Sequence, residues 1–62
     1  MATYEKLEDI INGHVNGNIG WTMKQIKKLS RQDRARLVAA FRCQVGTQTA
    51  FKIAERIITN DF

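Results

Sequence analysis

The stretch Ser30–Thr47, SRQDRARLVAAFRCQVGT, decides the fold class. Ser30 is suited to accept a backbone N–H as an N-cap, and Asp33, three residues on, falls near the positive end of a helix dipole. Behind that cap Leu37, Val38, Phe41 and Val45 recur at helical spacing, which predicts a helix reaching about Gln44 with one apolar face. Gly46 suits the position just past a helix end, where left-handed backbone is wanted. Thr47 then caps a further helix. A capped helix followed at once by a second cap leaves no room for a strand.

Working outward, residues 48–59 predict a fourth helix carrying Ala50, Phe51, Ile53, Ala54, Ile57 and Ile58. That stripe is wider than one small domain readily covers, so the helix is read as central to the core or shared with a second copy. Upstream, Thr22 and Gln25 have the spacing of a capping box, and Trp21 and Ile26 that of the accompanying hydrophobic staple. Their spacing predicts a short helix from Met23 to Leu29 that buries Met23, Ile26 and Leu29. It leaves Asn16–Gly20 as a loop. A first helix starts near Thr3, turns Tyr4, Leu7, Ile11 and Val15 to one face with Ile10 beside them, and fails within residues 12–17, where Asn and Gly tolerate positive φ.

These elements add up to a single all-α domain over residues 1–62, a bundle of three to four short helices. Its expected core is Leu7, Ile11, Trp21, Ile26, Leu29, Leu37, Phe41, Phe51, Ile53 and Ile57. Chains this short bury only about 60% of their extended surface and are marginal alone. Cys43 is the only cysteine, which excludes an internal disulfide; with one histidine it leaves too few ligands for a structural zinc site. Self-association is the remaining supplement, and Phe51, Ile57, Ile58 and Phe62 are the expected homodimer surface. Neither a basic region followed by an apolar run at the start nor an apolar run of spanning length occurs, so a cytoplasmic protein is expected, with no membrane partner.

Charge is the most lopsided property of the chain. Lys24, Lys27, Lys28, Arg31, Arg34, Arg36 and Arg42 are seven of its ten basic residues and lie within residues 24–42, opposed only by Asp33. That stretch carries +6, against −2 before it and zero after it, for a net +4. Lys24, Lys27 and Lys28 share one helix face, and Arg31 and Arg42 fall nearly on one line of the next helix. A field so localised attracts polyanions, and each phosphate neutralised releases a counterion. Nucleic acid, DNA first, is therefore the expected ligand of Lys24, Lys27, Lys28, Arg31, Arg36 and Arg42. The alternative is a protein-binding regulator or inhibitor, of the size that phages and mobile elements make, docking the same face on an acidic protein surface. Arg34 lies inside the Leu37–Val38–Phe41 arc and is expected to lay its stem over the core or to pair with an acidic group, for instance on the first helix.

Two motifs would elaborate a basic binding face. A helix-turn-helix centred on Val45-Gly46-Thr47 would present Thr47, Gln48, Thr49, Lys52 and Arg56 to a groove. The spacing opposes it: Arg42 stands where a small residue is wanted, and Lys52 where an apolar one is wanted. The segment Gly17-Asn18-Ile19-Gly20 before a helix, with Lys24 in its first turn, could cradle an anion, although it lacks any phosphate-loop pattern.

Catalysis has no constellation behind it. Ser30 is explained as a cap, His14 by a helix end, Cys43 as a buried or half-buried structural thiol, and Glu5, Glu8 and Asp9 as a solvated acidic face. A non-catalytic binding protein without cofactor or metal is the expectation.

Overall fold

Connections of two or three residues join four helices: α1 (Tyr4–Val15), α2 (Ile19–Lys28), α3 (Arg31–Gln44) and α4 (Thr47–Thr59). They are seen in a computed structural model that describes residues 2–59. The fold is an all-α bundle. α3 lies against both α4 and α1, and α1 packs on α2. Between them Leu7, Ile10 and Ile11 meet Met23, Ile26, Leu29, Leu37, Phe41, Ala50 and Ile53, with Ala2, Val38, Ala40 and Ile57 closing over the edges. Each large apolar side chain withdrawn from water contributes about 1.5–3 kcal/mol. Phe41, completely buried, also takes the His14 ring edge-on at 5.4 Å between centroids. His14 is thus half-buried against α3 rather than a surface residue of a fraying end.

The helix ends follow local chemistry. Thr3 caps α1 by accepting the Lys6 N–H at 3.2 Å, and Ser30 caps α3 by accepting that of Asp33 at 3.2 Å. At the far end of α1 the Gly17 N–H reaches the His14 carbonyl at 3.1 Å and the Asn18 N–H the Gly13 carbonyl at 2.9 Å, a Schellman closure. It needs left-handed backbone at Gly17, whose φ is +88°. Past α3, Val45 and Gly46 both donate to the Phe41 carbonyl, and Gly46 takes a φ of +146°.

That Schellman turn overturns the expected start of α2. Chain reversal is complete by Asn18, whose carbonyl accepts the Thr22 N–H at 3.0 Å. The helix therefore begins at Ile19, not Met23. Thr22 lies one turn inside it, fully buried, with its hydroxyl donating to the same Asn18 carbonyl at 2.8 Å, the back-bonding open to a mid-helix threonine. No capping box forms, and the loop shrinks to residues 16–18. Thr47 is likewise within α4 rather than its cap: the Gly46 carbonyl takes the first helical bond, from Ala50 at 3.1 Å.

Several expected core residues lie outside. Trp21 is 45% exposed, Phe51 69% and Val45 40%, while Tyr4 and Val15 are also on the surface. The face of α1 that is buried runs through Leu7, Ile10, Ile11 and Gly13, so the stripe turns away from Tyr4 and Val15. On α4 the buried face is Ala50 and Ile53, with Ile57 partly covered. Phe51 stands on that helix's flank, roughly 100° per residue from its neighbours. Cys43 is exposed rather than half-buried.

Trp21 is nevertheless held. A methyl group at Gly13 would lie 2.5 Å from Trp21 Cζ3 and 2.7 Å from Cε3, so the indole edge rests directly on the backbone of α1. Glycine inside a helix costs roughly 0.5–1 kcal/mol relative to alanine, and here close approach of the ring requires it. Gly20, also helical, has open space around it. Gly13→Ala is accordingly expected to destabilise by about 1–3 kcal/mol through overpacking, whereas Gly20→Ala stabilises by about 0.4–1 kcal/mol. Urea denaturation of the two variants checks this, and a Gly13→Ala protein as stable as the parent would contradict the packing.

Candidate functional site

Of the seven cations in residues 24–42, two are spent on the fold. Arg34 donates from Nε to the Ile26 carbonyl at 3.2 Å and from Nη2 to the Lys27 carbonyl at 2.9 Å. It thereby shares the Ile26 carbonyl with the Leu29 N–H and takes that of Lys27, closing the end of α2 with its charge at the negative end of that helix dipole.

Arg36 is the second. Its Nη1 donates to Asp33 Oδ1 at 3.1 Å and to the Ala2 carbonyl at 2.9 Å, while the Ala2 N–H donates to Asp33 Oδ2 at 2.8 Å. The three residues stitch the chain ahead of α1 to the first turn of α3. Arg36, expected on the binding face, is therefore committed to Asp33 and the backbone. Asp33 is only 4% exposed. The Ala2 N–H holds its carboxyl below the usual aspartate value; burial opposes this, and the Ser30 hydroxyl and Arg36 guanidinium reinforce it.

The consequence for the surface is one of sign. Asp33 is the only acid in residues 24–42, and the fold buries it against Arg36. What α2 and α3 show to solvent is Lys24, Lys27, Lys28, Arg31 and Arg42, all exposed and none in an ion pair among the described residues. Lys24 and Lys28 point away from the Met23–Ile26–Leu29 face, while Arg31 and Arg42 lie about 16 Å apart along one side of α3 at ~1.5 Å rise per residue.

Two cations join from elements remote in sequence. A cleft of ≈ 420 Å³ between α2 and α4 is lined by Lys24, Lys27 and Arg56 over Ile19, Gly20 and Met23. A second depression brings Lys6 of α1 to Lys28 beside Ala2, Thr3, Leu29, Ser30 and Asp33. Arg56 enters the sequence reading only as part of a helix-turn-helix and Lys6 not at all; packing brings Lys24 and Lys27 to Arg56, and Lys28 to Lys6.

The remaining candidates are placed as follows. Thr47, Gln48 and Lys52 are exposed on α4 and Thr49 is partly covered. Arg42 and Lys52, at the two positions where a conventional helix-turn-helix packs, both face solvent. Gly17 and Asn18 are turn residues, but Ile19 and Gly20 are already helical, so the segment does not form a cradle. Phe51 and Ile58 stand exposed seven residues apart on one line of α4, Ile57 packs partly on the core, and Phe62 lies outside the described residues. Among the described residues no helix is long and apolar enough to cross a membrane, and no three His, Cys, Asp or Glu side chains are grouped as a metal site would need.

Comparison with protein-family models, curated proteins and solved structures finds no match to this chain.

Because the folded pKa of Asp33 is depressed, its contribution to stability is present above the unfolded value of about 3.9 and is lost as pH falls through the folded value. Asp33→Asn is expected to be less stable than the parent at neutral pH, with the gap closing as pH drops below about 4. Thermal melts across that range measure it. A gap that stays constant into acid would contradict the ionic role of Asp33.

Proposed function

We propose that this protein binds nucleic acid, without catalysis, through the phosphate backbone. The observation that carries this reading is five exposed cations on α2 and α3, none in an ion pair among the described residues, with the only acid of residues 24–42 buried. Holding like charges side by side works against folding. An anionic ligand relieves that repulsion, and polyphosphate backbones are the polyanions whose repeat matches a spread of separate lysines and arginines. Lys24, Lys27, Lys28, Arg31 and Arg42 are the contacts, with Arg56 and Lys6 at the two ends of the patch. Arg36 supports the surface without touching the ligand.

Such binding depends on salt. Each phosphate neutralised contributes about 0.7–0.9 to the slope of log affinity against log salt. Fluorescence anisotropy of labelled DNA and RNA across a salt series is expected to give a slope corresponding to several contacts. Lys24→Glu combined with Lys28→Glu lowers affinity and flattens the slope by about two contacts' worth, roughly 1.4–1.8, with helicity unchanged. Arg36→Ala lowers stability and leaves the slope as it was. Absence of binding at low salt overturns the reading and leaves an acidic protein surface as the ligand of this face.

A further inference from the structure

We infer that the ligand is single-stranded and that Trp21 is the platform on which one of its unpaired bases stacks; this rests on the nucleic-acid reading above. Trp21, Lys24 and Lys28 stand at i, i+3 and i+7 of α2, so the indole and two of the phosphate-binding lysines occupy one line of the helix. Lys24 lies about 4.5 Å and Lys28 about 10.5 Å further along the axis at ~1.5 Å per residue. The benzo edge of the indole is seated on Gly13, where even a methyl group would come within 2.5 Å, yet the residue remains 45% exposed. The ring is fixed at one edge by an α1 backbone that carries no side chain there, and presents the rest to solvent beside cations.

Fixed aromatic faces interleaved with lysines are what single strands require: the cations track the backbone and the ring accepts any base by its π-face. A duplex keeps its bases stacked on one another and offers no free face. The neighbouring exposed side chains suit the same path. Ile19 lies on the rim of the α2–α4 cleft with Lys24, Lys27 and Arg56, so a strand leaving Trp21 along α2 meets further cations and no carboxylate lining that cleft.

Trp21 is the only tryptophan, so its emission reports the contact directly. The test titrates the protein with a short oligothymidylate, the matching oligouridylate, a duplex of equal length and inorganic polyphosphate, which has the charge but no bases. Expected are quenching of Trp21 by the single strands and none by polyphosphate. Trp21→Ala weakens oligothymidylate binding by at least about fivefold, the low end of what losing one base–aromatic stack costs, and leaves polyphosphate affinity unchanged. Trp21→Phe, which keeps a ring on Gly13, retains most of the affinity and guards against a folding artefact. Single strands that bind with emission and Trp21→Ala affinity unchanged overturn this inference while the phosphate reading stands. Failure of every polyanion, polyphosphate included, overturns both.

Discussion

The contact on which the rest depends is the burial of Asp33. Its carboxylate takes the Ala2 N–H on one oxygen and Arg36 on the other, which anchors the start of α1 to the start of α3. An ionised carboxyl away from water survives only with such partners, and here one is a charge and another a backbone donor. The same contact shapes the outer surface. An acid at position 33 facing solvent would sit beside Lys28 and neutralise part of the local field. Turned inward, it leaves α2 and α3 with basic side chains alone.

Cations of one sequence cluster thus divide into three kinds of work. Arg34 closes the end of α2, Arg36 compensates Asp33, and Lys24, Lys27, Lys28, Arg31 and Arg42 stand exposed with no ion pair among the described residues. The division follows from helical geometry: Arg34 falls on the arc of Leu37 and Phe41, Arg36 is three residues from Asp33, and Arg31 and Arg42 lie on the exposed flank of the helix. A count of charges alone overstates the binding face, and only the packed structure identifies which charges are already engaged.

Much of the architecture is legible in the residues. The Ser30 and Thr3 caps, the Gly17 and Gly46 turns and the Leu37–Phe41 face are local signals, and local chemistry decides them. The start of α2 is not, because Thr22-x-x-Gln25 is a sound cap pattern that loses to a turn closed four to five residues earlier by Gly17 and Asn18. Phe51 and Trp21 were misplaced for a related reason: hydrophobicity alone does not say which flank of a helix its neighbours cover. Gly13 supplies the missing signal for Trp21, since a glycine inside an otherwise good helix marks a close approach. Arg56 and Lys6 join the basic surface through contacts between helices, and no spacing along the chain announces that.

The central claim is that the exposed cations of α2 and α3, with Trp21, take the ligand. Amide chemical shifts of the isotopically labelled protein, followed during titration with a single-stranded oligonucleotide, test it most directly. The account predicts perturbations concentrated at Trp21–Arg31, Arg42, Lys6 and Arg56, with Phe51, Ile58 and the acidic residues Glu5, Glu8 and Asp9 unaffected. Perturbations centred instead on the Phe51–Ile58 flank of α4, with α2 silent, would contradict it.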